Sequence, residues 1–167
     1  MTDDTHSPKT PKEALVVLPL ALDDIRAEFA AERQQRAALR PTNKAAVFAA
    51  LAGAGVAKVS VSFDGYGDSG QIESLEARDA VSAPVQLPDQ TISIVAIIWG
   101  QSEPEARSMT LTEAIEHLVY DALSETHGGW ELNEGAFGEF VFDVSAREIR
   151  LEYNERMTVT EFHSHTF

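Results

Sequence analysis

The sequence predicts an α+β domain in which a mainly antiparallel sheet packs on one long helix and is preceded by N-terminal helices. Apolar residues recur at helical spacing in segments before residue 126, and they alternate at every second position after residues 58 and 138. With 167 residues, of which 44% are hydrophobic, the chain is long enough for one domain with a substantial core.

The first part of the chain divides into a tail and a helical segment. Residues 1–13 are polar and interrupted by prolines, which predicts a disordered tail. Residues 14–55 are predicted to form an N-terminal helical segment. Its first helix runs from about Leu22 to Leu39 and ends at Pro41, and a second helix from Thr42 ends at Gly53.

Residues 56–167 are predicted to form an acidic α+β domain. The run VAKVSVSFDG alternates as a half-buried strand does, whereas QIESLEAR is compatible with a returning strand or a short helix. The run TISIVAIIW is apolar on both faces, so it is predicted to be a central strand. Thr110 and Glu113 have capping-box spacing, and they begin the clearest predicted helix. The runs GEFVFDV, EIRLEYN and MTVTEFHSHTF are predicted to complete an antiparallel meander with a polar, acid-rich side.

Charge is distributed unevenly along the chain. Residues 1–55 are neutral, so residues 56–167 carry the whole net charge of −14. Such a chain repels the phosphate backbone, so direct nucleic-acid binding is not expected. We expect its partners to be cations, basic protein surfaces, or its own basic helix, which includes Arg33 and Arg36. Acidic surface that only keeps the protein in solution is the simpler interpretation.

Composition also excludes several classes of protein. The chain has no cysteine, which excludes disulfides, thiolate metal sites and cysteine nucleophiles. No apolar run reaches membrane-spanning length, and the first residues lack the pattern of a secretory signal. The sequence therefore predicts a cytoplasmic protein without a membrane partner.

The first candidate site is the glycine-rich stretch FDGYGDSGQIES. Carboxylates on a tight turn, here Asp64 and Asp68, are suited to calcium, magnesium or manganese. The spacing does not match an EF-hand loop, and no phosphate-binding lysine follows the glycines. A hairpin loop that uses glycine for its turn is the alternative interpretation, and the sequence favours it.

The second candidate site is the loop ETHGGWELNEGAFGEF. Trp130, Glu131 and Glu134 are predicted to form a partner-binding loop, because aromatic side chains supply contact area. The alternative is that Gly128 caps the preceding helix and Trp130 packs at the edge of the core. His127 is a candidate acid or base, but no nucleophile motif accompanies it.

The third candidate site is the terminal run EFHSHTF. In a strand, Glu161, His163 and His165 would point to one side and could share a zinc, manganese or similar ion. A polar strand face is the alternative, and a histidine pair near a chain end is a weak motif.

The stretches SFDGYGDSGQIES, ETHGGWELNEGAFGEFVFDV, LEYNER and TEFHSHTF together resemble a family of bacterial domains of unknown function that occur with plasmids and mobile elements. The resemblance covers about residues 58–167. It implies no activity, but it places the three candidate sites in one domain.

Three functions follow from these patterns. The favoured one is a non-catalytic acidic protein that binds a basic partner, with inhibition of a nucleic-acid-handling enzyme by charge mimicry as a specific form. The second is a metal-dependent hydrolase that uses the terminal histidines, with Asp64, Asp68, Glu139 or Glu152 as further carboxylates. The third is a small-ligand site around Tyr66 and Trp130. Enzymatic activity is therefore not the favoured prediction.

Overall fold

The computed structural model describes residues 18–98 and 103–167, and it places two helices and seven strands within them. The predicted disordered tail, residues 1–13, lies outside this part of the chain. In the part described, no helix is long and apolar enough to cross a membrane. The helices are α1 (Leu18–Gly53) and α2 (Leu111–Thr126), and the strands are β1 (Lys58–Arg78), β2 (Pro84–Val85), β3 (Thr91–Ala96), β4 (Glu105–Thr110), β5 (Leu132–Asn133), β6 (Ala136–Asp143) and β7 (Glu148–Glu155).

The two predicted N-terminal helices are one continuous helix, α1, with Pro41 inside its 36 residues. The prediction that Pro41 ends a helix is therefore wrong. An interior proline removes one backbone hydrogen bond and costs about 3 kcal/mol. The turns after it bury Val47, Phe48 and Leu51 in the core, and this burial offsets the loss.

Strand β1 is a hairpin rather than a straight strand. Its 21 residues would span about 70 Å if fully extended. Instead, the N–H of Ala57 donates to the carbonyl of Arg78 at 2.8 Å, and the hydroxyls of Ser62 and Ser74 lie 2.7 Å apart. Gly67, near the middle of the run, has a φ of +77°. The alternative predicted from sequence, a glycine-based hairpin with QIESLEAR as the returning strand, is confirmed.

The main sheet has the strand order β2-β1-β6-β7, and β5 pairs with β1 beside it. Every recorded pair of strands is antiparallel. The inner face includes Val59, Val61, Phe63, Phe140 and Phe142, all of which are buried. The prediction of a further strand in MTVTEFHSHTF is wrong, because residues 156–167 contain no strand and are exposed after residue 156.

Strands β3 and β4 form a separate two-stranded sheet. The run TISIVAIIW is therefore not a central strand, and its Trp99 lies outside the described residues. The free edge of β3 is paired with a side chain of α1. The amide of Asn43 donates to the carbonyl of Val95 at 2.7 Å and accepts from the N–H of Val95 at 2.8 Å. Asn43 is only 2% exposed. Ile92, Ile94 and Ala96 are buried or half-buried on one side of β3, whereas Thr91 and Ser93 on the other side are exposed.

Helix α2 begins as the sequence predicts. Both hydrogen bonds of the capping box between Thr110 and Glu113 are present. The Glu113 carboxylate accepts from the N–H and from the hydroxyl of Thr110, and these bonds lower its pKa below the ordinary value. The C-terminal cap is His127 rather than Gly128, and its N–H donates to the carbonyl of Leu123 at 2.8 Å.

The α+β class and the mainly antiparallel sheet are confirmed. The predicted arrangement of the helices is wrong, because the long helix is α1 at the N-terminus and not the helix expected to cover the sheet. One core unites the second half of α1, the buried side of α2 and the inner face of the sheet, as shown by Phe48 and Phe142, whose ring centroids are 6.1 Å apart.

Candidate functional site

The outer face of the main sheet is polar and acid-rich, as the sequence predicts. It contains every second residue of β1, β6 and β7, because side chains alternate between the two faces of a strand. Asp64, Glu139 and Glu152 lie on this face, whereas Phe63, Phe140 and Phe142 point to the core.

Two pairs of like charges lie directly opposite each other between β6 and β7. Asp143 faces Glu148, and Glu139 faces Glu152. Asp143 also builds the turn that follows it: it accepts bonds from the N–H of Ala146 and then from the Ser145 hydroxyl, and these lower its pKa. Glu152 lies 3.4 Å from Arg150, whereas Glu139 has no ion pair with any described basic residue. Glu139 and Glu152 are therefore like charges at directly opposed positions, an arrangement that disfavours strand pairing.

Glycines at one end of this sheet make room for Trp130. A Cβ atom on Gly65 would lie 2.8 Å from the indole, and one on Gly70 would overlap it. The indole also meets the ring of Phe63 edge to face, with centroids 5.3 Å apart. The glycine-rich hairpin and the loop that contains Trp130 thus pack against each other.

Arg156 joins these segments to the end of β7. Its N–H donates to the carbonyl of Gly135 at 3.0 Å. Its guanidinium donates to the carbonyl of Gly65 and to the carboxylate of Asp64, each at 2.8 Å. It also lies over the ring of Phe137, 4.8 Å from the centroid. One side chain therefore fixes the turn, β6 and the start of the terminal segment.

The residues of the predicted metal site are not brought together. Glu161 and His163 lie 3.6 Å apart in the exposed terminal segment. Asp64 is engaged by Arg156, and Asp68 lies on the hairpin tip opposite Leu132. Within the described ranges, no group of three histidine or acidic side chains is placed to hold a metal ion. His165 contacts the ring of Phe167, at 6.4 Å between centroids.

The predicted partner-binding loop is only partly exposed. Trp130 is 9% exposed and belongs to the core, which agrees with the alternative that it packs at the core edge. Glu131 is half-buried, and Glu134 is exposed. Because Trp130 fills the space between the two loops, it cannot form an open ligand pocket with Tyr66.

His127 is stacked on an aromatic side chain. Its ring lies parallel to that of Tyr153, with centroids 3.6 Å apart. The pKa of Tyr153 is raised, first by burial and then by the charges of Glu155 and Glu131.

The basic side of α1 lies against acidic residues of α2. Arg40 forms an ion pair with Glu125, and Arg36 lies 4.0 Å from Asp121. An open groove of about 520 Å³ runs between the helices, and Arg33 lines it. Basic side chains of α1 thus contact acidic side chains of α2 at this groove.

Sequence reasoning missed Arg156, Asn43 and Phe137. Arg156 lies in the quoted run LEYNER, but nothing in the spacing indicates that it reaches Asp64, 92 positions earlier. Asn43 resembles any polar residue after a proline, and only the position of β3 gives it a role.

The chain belongs to the Family of unknown function (DUF6878), whose model matches residues 39–167. This match confirms the resemblance to a family of unknown function. It also begins earlier than the sequence resemblance, so it includes the second half of α1, which supplies Phe48 and Leu51 to the core. No curated protein and no solved structure significantly matches the chain.

Proposed function

We propose that the protein is a non-catalytic acidic binding protein that uses the outer face of its main sheet to bind a basic protein surface. The directly opposed carboxylates Glu139 and Glu152 are the observation that supports this proposal most. Opposed like charges cost stability, and residues that cost stability are commonly retained for function. A cationic side chain placed between the two carboxylates would turn this repulsion into attraction.

The rest of the chain supports the same proposal. Residues 56–167 carry the whole net charge of −14, so a basic partner is attracted from a distance. Charge mimicry of nucleic acid is a specific form of this function, in which the partner is an enzyme that handles nucleic acid. We also propose that the protein is cytoplasmic and occurs in bacteria with plasmids or mobile elements, as the family resemblance implies.

Binding of a simple cationic peptide tests the proposal. The probe is a fluorescent peptide of alternating lysine and serine, and anisotropy measures its Kd at several salt concentrations. We expect the Kd to rise about tenfold between 50 and 200 mM NaCl, because ionic screening weakens attraction between opposite charges. The double variant Glu139→Gln/Glu152→Gln should weaken binding about fivefold at low salt.

A matched control separates the sheet face from net charge. The variant Glu103→Gln/Glu105→Gln also removes two negative charges, but from exposed positions at and just before the start of β4. It should change the Kd less than twofold. Binding that is insensitive to salt, or equal losses in both double variants, would contradict the proposed face.

A metal-dependent hydrolase receives no support from the arrangement of the acidic and histidine side chains described above. Metal content of protein purified without a histidine tag remains the direct measurement for that prediction.

A further inference from the structure

Two aromatic side chains lie exposed on the outer face of the sheet, next to the acidic pair. Phe137 is directly opposite Asp64, so both point to the same face. Tyr66 follows Asp64 by two positions, with buried Gly65 between them, and therefore shares that face. Tyr66 is 65% exposed and Phe137 is 42% exposed.

The aromatic pair and the acidic pair form one continuous surface. Glu139 follows Phe137 by two positions on β6, and Glu152 is opposite Glu139 on β7. The surface thus has exposed aromatic side chains at one end and the carboxylates of Glu139 and Glu152 beside them.

This surface is held in place before any ligand binds. A Cβ atom on Gly135 would overlap the carbonyl of Gly65, so the two backbones are in close contact. The guanidinium of Arg156 covers one side of Phe137 and pairs with Asp64. A fixed surface loses little conformational entropy on binding, which favours affinity.

We propose that Tyr66 and Phe137 are the apolar anchors of this binding face, and that the ligand is a cationic segment with a large apolar side chain beside its lysines or arginines. This inference rests on the proposed function and specifies its partner. Protein interfaces commonly combine an apolar centre with a polar border, and aromatic residues contribute much of the affinity. The negative charge of Glu139 and Glu152 beside the aromatic side chains favours a cationic ligand and disfavours a second copy of this acidic chain.

Two peptides of equal charge test the inference. The first is the lysine and serine peptide described above, and the second replaces two serines with tryptophan. Wild-type protein should bind the tryptophan peptide about tenfold more tightly at 150 mM NaCl. The variant Tyr66→Ser should abolish most of that difference and leave the Kd of the first peptide within twofold. Phe137→Ser should also reduce the difference in Kd between the two peptides. The control Val81→Ser removes an 82% exposed apolar side chain from a distant turn and should leave both Kd values unchanged.

The results distinguish this inference from the function on which it rests. If both peptides bind wild-type protein equally and Tyr66→Ser changes neither, the anchors are refuted and the acidic face stands. If neither peptide binds at any salt concentration, the proposed function itself fails. Tyr66→Ser should leave thermal unfolding unchanged, because Tyr66 is exposed, so loss of binding would not reflect loss of folding.

Discussion

Gly135 lies where its backbone meets that of Gly65, and the absence of a side chain makes this close contact possible. Its φ is +68°, a conformation that disfavours residues with a Cβ atom, and a Cβ atom there would overlap the carbonyl of Gly65. The neighbouring carbonyl is backbone and cannot move aside as a flexible side chain can. The close approach of the two segments therefore depends on this one residue.

Substitution of Gly135 by alanine should lower the free energy of unfolding by at least about 2 kcal/mol, through strain at positive φ and the steric overlap. Urea denaturation measures this change. Gly53→Ala is the matched control, since no atom lies within 4 Å of a Cβ atom there, and it should be neutral or slightly stabilising. Equal stability of Gly135→Ala and wild type would show that the segments can separate at little cost.

The sequence identified the glycines of the two loops as important, but it explained them only as turn residues. The glycines near Asp64 and Trp130 were visible as two loops, and each loop alone is compatible with a turn. In the structure, Gly65 and Gly70 leave room for the indole of Trp130, and Gly135 allows close contact with the backbone of Gly65. That purpose depends on contacts between positions far apart in the chain, which local patterns do not encode.

Among the secondary-structure elements, the edge of β3 illustrates how a side chain replaces a strand. The amide of Asn43 satisfies both the N–H and the carbonyl of Val95, as a neighbouring strand would. Because Asn43 is buried, water cannot take its place. This contact ties α1 to the small sheet.

Asn43→Leu should lower the free energy of unfolding by about 2 kcal/mol or more, because it leaves two backbone groups unpaired in a buried position. Thermal or urea unfolding measures the loss, and hydrogen exchange at the Val95 amide should become faster. Thr42→Ala, on the exposed preceding position, should change stability by less than about 0.5 kcal/mol. An Asn43→Leu protein as stable as wild type would contradict the role assigned to the amide.

The elements that the sequence predicted correctly are those stabilised by local interactions. The capping box of α2 involves residues three apart, so it is visible in the sequence. The errors at Pro41 and in TISIVAIIW have the opposite origin. Burial of Val47 and Phe48 in the core offsets the cost of Pro41, and pairing with Asn43 gives β3 an edge that no periodicity reveals.

For the whole molecule, the net negative charge opposes stability and would favour the proposed binding of a basic partner. The net charge of −14 produces self-repulsion in the folded state, and the register places the like charges Glu139 and Glu152 opposite each other on the sheet. The sequence predicted the charge and the acid-rich side. It did not predict which carboxylates face each other, because strand register depends on the turns of the folded sheet.

Salt and charge neutralisation should therefore stabilise the protein while they weaken binding. We expect the melting temperature to rise with NaCl concentration, since screening reduces the repulsion. At low salt, Glu139→Gln/Glu152→Gln should raise the free energy of unfolding by roughly 0.5–1 kcal/mol, the usual size of a cross-strand charge effect. Differential scanning calorimetry at about 10 and 200 mM NaCl measures both changes.

The control Glu103→Gln/Glu105→Gln removes the same charge from positions that are not opposed to another carboxylate in the recorded register. It should stabilise the protein less than the sheet-face variant does. A variant that gains stability and loses affinity for the lysine peptide would have the trade-off expected of a functional surface. If Glu139→Gln/Glu152→Gln instead lowered stability, the two carboxylates would stabilise the fold, and their retention would not require a binding function.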